Sequence, residues 1–239
     1  MNSTQDYLDR HYLDQTQFAE HCGLCLQDIE ELVAGELIPA PSYLVIDAQR
    51  CKSVVFGELL DPDSTVELRV GTYFHPAASA WTKHAFDTLQ VHGANEAKAI
   101  LREQFAEEFA QALAIENGNT FRLRDCFDET GKAIAAGIDQ RVNSNWQHFL
   151  NGVFSLCVAK PDSITNIVHK EILQEKLSAI SDNGKRIDYL GEDLAALKKL
   201  IDEYADNAMP FSPLEYPKSS PKRLVEDLQK TLSAIDRRH

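Results

Sequence analysis

Hydrophobic residues recur every three to four positions along most of the chain, which predicts a mainly α-helical protein. Three short helices are predicted first: around residues 7–12, from a Thr16 N-cap to a Gly23 stop, and over 26–34 before Gly35. Longer helices are predicted over residues 81–92, 97–117, 146–157, 163–181 and 187–204, with a last helix starting at Ser220 and Pro221. The chain from Pro76 onward therefore has the pattern of a helical array.

One block departs from the helical period and has the composition of β-strands. YLVI (43–46), SVVFGELL (53–60) and VELRVGTYF (66–74) are rich in β-branched and aromatic residues, and DPDS (61–64) has the composition of a turn between the last two. We predict a small antiparallel sheet or wing here, with Gly57 marking a β-bulge.

These elements predict a mainly α fold in four parts. The parts are an N-terminal helix-turn-helix-like module (residues 1–42), a small antiparallel β wing or sheet inserted after it (43–75), a helical domain (76–210), and a Pro-rich connector with a C-terminal helix (211–239). The first boundary rests on Pro39 and Pro41, which disfavour helix and force an extended path.

The spacing around the second and third predicted helices is typical of a helix-turn-helix. Ala19 allows two helices to approach closely, Gly23 permits a left-handed turn four residues later, and Ile29 and Leu32 follow as buried positions. With the LIPAPS stretch and the β residues after it, this region resembles the winged-helix module of MerR-type proteins over about residues 4–60. The resemblance implies a DNA-binding role.

The charge on the third predicted helix argues against that role. The helix exposes Gln27, Asp28, Glu30 and Glu31 and contains no Lys or Arg. Carboxylates facing DNA phosphates repel them, whereas most DNA affinity comes from basic contacts. We therefore interpret these four residues as a docking surface for a protein partner, and we expect no nucleic-acid partner.

Composition indicates a soluble protein of the cytoplasm. The net charge of −13 disfavours anionic membranes and nucleic acids in general. The N-terminus lacks the pattern of a signal peptide, and no apolar run approaches the roughly 18 residues of a membrane span. Five scattered cysteines do not suggest a disulfide framework. We expect no membrane association.

The helix predicted over 187–204 has apolar residues alternating three and four apart. They are Ile187, Leu190, Leu194, Leu197, Ile201 and Tyr204. This is a coiled-coil spacing over less than three heptads, which is short for a free coiled coil. Packing inside the domain and a homodimer formed through this helix are both compatible with it.

His21, Cys22 and Cys25 are candidate metal ligands, with Cys51 as a distant fourth. Strong zinc motifs have two ligand pairs, and the second pair is missing here. Cys22 also falls four residues after Phe18, on the apolar side of its helix, where cysteine acts as a small hydrophobic residue. We expect neither a metal nor another cofactor.

Two groups of histidines and aromatic residues are the candidates for a small-molecule pocket, because aromatic walls with a few titratable groups suit such sites. The first group is Tyr73, His75, Trp81 and His84, and the second is Trp146, His148, His169 and Lys170. Ordinary core packing is the competing explanation. No nucleophile motif, phosphate loop or metalloprotease motif is present, so no catalytic residue is assigned.

Two segments resemble a bacterial family of unknown function whose members are labelled natural-product biosynthesis proteins. The segments are WQHFLNGVFSLCVAKPDSITNIVHKEIL (146–173) and FSPLEYPKSSPKRLVEDL (211–228). The matching positions are Trp146, Gly152, Cys157, Ile167, Lys170 and Glu171, and LIPAPSYLV nearer the N-terminus is similar too. The resemblance implies no catalytic residue and no defined activity.

The leading hypothesis for function is a non-enzymatic accessory or regulatory protein that acts through protein or small-ligand contacts. It rests on the missing catalytic motifs and on the acidic docking surface. A DNA-binding transcriptional regulator and a small-molecule enzyme of natural-product biosynthesis are the two alternatives.

Overall fold

The computed structural model describes residues 3–61, 65–189 and 192–236, most of them in helices. The helices are α1 (Thr4–His11), α2 (Gln15–Cys22), α3 (Leu26–Ala34), α4 (Ser79–His92), α5 (Ala94–Asn119), α6 (Ala135–Leu150), α7 (Val153–Cys157), α8 (Ile164–Ile180), α9 (Glu192–Asn207) and α10 (Leu228–Asp236). The strands are β1 (Leu13–Asp14), β2 (Tyr43–Asp47), β3 (Arg50–Ser53), β4 (Gly57–Leu60) and β5 (Gly71–Phe74). The mainly α prediction is confirmed.

The N-terminal helices begin and end at capping residues. Asp14, not the predicted Thr16, caps α2, and its carboxylate accepts a hydrogen bond from the Gln17 amide at 2.9 Å. Gly23 ends α2 in the left-handed conformation, as predicted, with φ of 70°. The bounds predicted for α3 are confirmed. Whether α2 and α3 act as a helix-turn-helix module stays a prediction.

The described residues form one antiparallel five-stranded sheet in the order β1-β5-β2-β3-β4. Its presence is confirmed, but the bounds differ: SVVFGELL is divided, because residues 54–56 turn between β3 and β4. Gly57 pairs with Ser53 at the end of that hairpin and is not a bulge, and the irregular register lies between Val45 and Asp47. Residues 62–64 of the predicted turn lie outside the described residues.

The helix predicted over 146–157 is interrupted. Gly152 adopts φ of 74°, so the chain ends α6 at Leu150 and starts α7 at Val153. A Cβ on Gly152 would lie 2.4 Å from the Ala40 carbonyl oxygen, and the Ala40 amide donates to the Leu150 carbonyl at 2.8 Å. The segment before the sheet therefore packs directly against the break.

Only part of the apolar seam predicted over 187–204 lies on one helix. Ile187 is 74% exposed and precedes α9, and Leu190 lies outside the described residues. Leu197, Ile201 and Tyr204 are buried against α8 and the C-terminal helix of the same chain. This packing accounts for the spacing without a second copy of the chain.

The Pro-rich segment after α9 is buried against the sheet. Phe211, Ser212 and Glu215 are within the core beside β2. Ser219, not the predicted Ser220, caps the following helix, since its hydroxyl accepts from the Lys222 amide at 3.2 Å. That helix starts with a π-helical segment, Lys222–Asp227, before α10. Arg237 and Arg238 lie outside the described residues.

α5 is 26 residues long, enough to cross a bilayer, but charged side chains occur along it. Among residues 3–61, 65–189 and 192–236, no helix combines the length and the apolar character that a membrane span requires.

Candidate functional site

A cavity of about 360 Å³ lies where α4, α5, α6 and the start of α8 meet the loop after α3. Its walls are mainly apolar and aromatic, with three polar side chains. The lining residues are Leu37, Trp81, His84, Leu101, Gln104, Phe105, Glu108, Trp146, Phe149 and Ile164. Known small-molecule sites span about 300–1,000 Å³, so this cavity is large enough for a small ligand.

α5 supplies one complete stripe of the lining. Leu101, Gln104, Phe105 and Glu108 are spaced three and four residues apart, which places them on one face of the helix. Leu101 and Phe105 form its apolar part, while Gln104 and Glu108 stand beside them. One helix face therefore provides both an apolar wall and a polar edge.

The aromatic walls are held in fixed orientations. The Trp146 ring stacks on Phe149 at 5.6 Å and meets Phe105 edge-on at 5.2 Å. The Trp81 ring meets Phe149 edge-on at 5.1 Å, and its indole N–H donates to the Pro161 carbonyl at 2.9 Å. Since the polar atom of Trp81 is already bonded, its ring is available for apolar contacts.

The polar side chains of the cavity differ in whether they already have hydrogen-bond partners. His84 Nε2 lies 2.7 Å from Gln104 Oε1, so these two side chains bond to each other. Glu108 is exposed and forms no hydrogen bond or ion pair with any described residue. The carboxylate of Glu108 is thus the polar group that a ligand would find unoccupied.

The structure brings together only some of the predicted pocket residues. Trp81, His84 and Trp146, drawn from both predicted groups, line the cavity. Tyr73 lies on β5 with its side chain in the core of the sheet, and its hydroxyl donates to the Arg69 carbonyl at 2.9 Å. His148 is exposed and packs edge-on against Phe154.

His169 and Lys170 also lie away from the cavity. His169 Nδ1 is 3.0 Å from a Glu116 carboxylate oxygen, which ties α8 to α5. Lys170 is 2% exposed, and its ammonium donates to Glu171 and Gln174, both at 2.9 Å. Burial lowers the pKa of Lys170, but the charge and hydrogen bond of Glu171, together with Cys157 and Tyr204, outweigh this, and the net pKa is raised. Lys170 is therefore a buried, charged structural group.

His75 is buried away from the cavity, where its ring meets the Tyr12 ring edge-on at 5.7 Å. Its Nδ1 accepts a hydrogen bond from the Ala77 amide at 3.1 Å and caps a short 3-10 helix, Pro76–Ala78. Burial, with a smaller effect of the neighbouring His11, lowers the pKa of His75 from 6.5 to about 4. The ring is neutral in the folded protein at physiological pH.

We expect the pKa of His75 to make the protein less stable in acid. Between pH 6.5 and 4 the unfolded chain protonates this ring while the folded chain does not, so stability falls as pH falls. At about 1.4 kcal/mol per pH unit, the loss reaches ~3 kcal/mol by pH 4. Urea unfolding of wild type and His75→Asn, which keeps an oxygen for the cap, at pH 7 and 4.5 measures it. Equal losses in both proteins would contradict this assignment.

Sequence reasoning missed a second buried polar group, centred on Glu215. This side chain has no solvent exposure, and its Oε2 accepts from the Tyr43 hydroxyl at 2.5 Å and from the Ser212 hydroxyl at 2.6 Å. The hydroxyl oxygen of Tyr7 lies 3.4 Å from that of Tyr43. Burial raises the pKa of Tyr7 to about 12, which keeps its hydroxyl protonated. The cluster fastens the C-terminal segment to the sheet.

The predicted docking surface lies on α3, and its four side chains differ in exposure and in hydrogen bonding. Gln27, Glu30 and Glu31 are exposed, and Glu30 accepts from Gln15 at 3.0 Å. Asp28 is half-buried and accepts from the Cys25 amide at 3.0 Å, as part of the cap of α3. Asp28 therefore has a structural role, and the other three side chains form the accessible face.

The cysteines near the N-terminus do not assemble a metal site in the part of the chain that the structure describes. Cys51 is buried in β3 with the core of the sheet, while Cys22 is half-buried beside α4. Among the described residues, no three His, Cys, Asp or Glu side chains are placed to hold a metal ion together.

Comparison with known proteins assigns more than half of the chain to a family. A family model described as "Family of unknown function (DUF6058)" matches residues 101–233, more than half of the chain. Both segments that resemble natural-product biosynthesis proteins, 146–173 and 211–228, lie inside the matched region, and the expectation of a family of unknown function is confirmed. No curated protein and no solved structure matches the chain significantly.

Proposed function

Because the chain belongs to the DUF6058 family, whose description names no ligand or reaction, we propose from the cavity itself that the protein binds a small, largely apolar molecule. The observation that carries this proposal is the convergence of Trp81, Phe105, Trp146 and Phe149 on one cavity. Such a combination of aromatic walls and a few polar groups is typical of small-molecule sites.

We propose binding without chemical conversion. Catalysis by acid and base groups needs side chains within hydrogen-bond reach of one reacting molecule. His75, His148 and His169 lie outside the cavity, and His84 is already bonded to Gln104. This dispersal removes the main support for the alternative of an enzyme of natural-product biosynthesis.

We propose that the bound ligand acts on the N-terminal region, which would make the protein an accessory or regulatory factor. Leu37, which lines the cavity, follows α3 by only a few residues. A ligand that contacts Leu37 can bias the position of α3 and of its exposed face, Gln27, Glu30 and Glu31. That face is acidic, so a protein partner is favoured over the alternative of DNA.

Filling the cavity should abolish binding. We expect wild type to bind the neutral fluorescent probe N-phenyl-1-naphthylamine with one saturable site, and Leu101→Trp to weaken it at least about tenfold, since the larger ring occupies the space. Fluorescence titration measures both affinities. Ile115→Trp, a 53% exposed position on the same helix, is the matched control and should bind like wild type.

Two outcomes would contradict the proposal. One is that wild type shows no saturable binding of the probe. The other is that Leu101→Trp, with an unchanged circular dichroism spectrum, binds as tightly as wild type, because the probe would then occupy a different place.

A further inference from the structure

We infer that the ligand of the cavity is a compact organic amine, whose ammonium group pairs with Glu108 while its ring system lies against the aromatic walls. The inference rests on the proposed function, which it narrows to a class of ligand. It follows from the charge of the lining residues, from their aromatic faces and from the size of the cavity.

The charge of the lining points to a cation. Glu108 is the one carboxylic side chain among the ten residues that line the cavity, and none of the ten is Lys or Arg. A carboxylate or phosphate on the ligand would meet Glu108 without a compensating positive group. An ammonium would instead supply Glu108 with the ion pair that it does not form with any described residue.

The aromatic walls reinforce that preference. The faces of tryptophan and phenylalanine rings carry partial negative charge and attract cations, tryptophan most strongly. Trp81, Phe105 and Trp146 line the same cavity as Glu108, and Phe105 lies one helical turn before it on the same stripe. An ammonium near Glu108 therefore stands beside an aromatic surface, where both interactions favour the positive charge.

The size of the cavity limits the apolar part of the ligand. Its volume of about 360 Å³ lies near the lower end of the range of about 300–1,000 Å³ for small-molecule sites. One or two fused rings with a short amine arm fit such a space, whereas a long acyl chain or a large polycycle does not. The class is thus arylalkylamines and similar compact cations.

Three probes of the same shape test the inference. 1-Naphthylmethylamine is a cation at pH 7, 1-naphthalenemethanol is neutral, and 1-naphthoic acid is an anion. In displacement of N-phenyl-1-naphthylamine from wild type, we expect the amine to show about tenfold higher affinity than the alcohol and the acid to show the lowest affinity. A partly exposed ion pair and a cation–aromatic contact together produce an effect of this size.

Two variants test whether Glu108 causes the preference for the amine over the alcohol. Glu108→Gln should reduce the preference for the amine from about tenfold to about threefold, the part that the aromatic rings supply, and leave the affinity of the alcohol unchanged. Glu107→Gln removes the neighbouring exposed carboxylate, which does not line the cavity, and should leave the affinities of all three probes as in wild type. Thermal unfolding of both variants checks that the fold is intact.

The outcomes separate this inference from the proposed function. If the amine and the alcohol bind wild type equally, or if Glu108→Gln keeps the full preference, the assignment of the ligand class is overturned while the cavity remains a binding site. If no probe binds at all, the proposed function fails and the ligand class fails with it.

Discussion

Gly152→Ala is expected to destabilise the protein by about 3 kcal/mol. A side chain at φ of 74° costs ~1–2 kcal/mol, and the new Cβ would lie 2.4 Å from the Ala40 carbonyl oxygen, a clash that needs a further backbone shift. The shift would separate α6 from the segment before the sheet. Urea unfolding followed by circular dichroism measures the loss.

Substitutions at two other glycines separate the cost of the backbone conformation from the cost of the steric clash. Gly23→Ala has nearly the same left-handed conformation, with φ of 70° and open space around the Cβ, so it should cost only the ~1–2 kcal/mol of the backbone conformation. Gly137→Ala lies within α6 but places its Cβ 1.8 Å from the Asp125 carbonyl oxygen, so it isolates the clash. A loss for Gly152→Ala no larger than that for Gly23→Ala would mean that the contact with Ala40 is absent.

Glu215→Ala is expected to cost about 4 kcal/mol. The substitution leaves the buried hydroxyls of Tyr43 and Ser212 without their acceptor, at ~1–3 kcal/mol each, and opens a cavity in a fully buried position. Because Glu215 joins the C-terminal segment to β2, limited proteolysis should also cut the variant faster after Ala208 than wild type. Denaturant unfolding gives the energy.

Glu215→Gln provides the matched control. Its amide oxygen can still accept from Tyr43 and Ser212, and its amide nitrogen takes the place of Glu215 Oε1, which has no hydrogen-bond partner. We expect a smaller loss than for alanine. Equal losses for the two variants would show that the hydrogen bonds to Tyr43 and Ser212 do not stabilise this part of the fold.

Helices with regular apolar spacing were predictable from the sequence. The bounds of α3 and the Ser163 cap of α8 follow from local signals, a glycine after the last turn and a hydroxyl before the first. The break at Gly152 was not predictable, because it depends on Ala40, more than a hundred positions away. β3 was missed because two of its four residues, Arg50 and Lys52, point outward as charged side chains.

Individual lining residues of the cavity could be predicted from the sequence, but their assembly into one cavity could not. The stripe of Leu101, Gln104, Phe105 and Glu108 is visible in the helical period, and Trp81 and Trp146 were already candidates. Their convergence depends on how α4, α5 and α6 pack, which the period of each helix alone does not determine. The Glu215 cluster was hidden for a similar reason, since Tyr43 and Glu215 lie 172 residues apart.

The walls of the cavity come from both sides of residue 101, where the family match begins. Seven lining residues lie within the match, and Leu37, Trp81 and His84 lie before it. The matched region thus provides a half-open aromatic groove, including the carboxylate, and the preceding region closes it. Relatives that differ before this point can change the shape of the closed site, and hence the molecule selected, without altering the groove that the matched region provides. Selectivity and affinity would then evolve in separate parts of one chain.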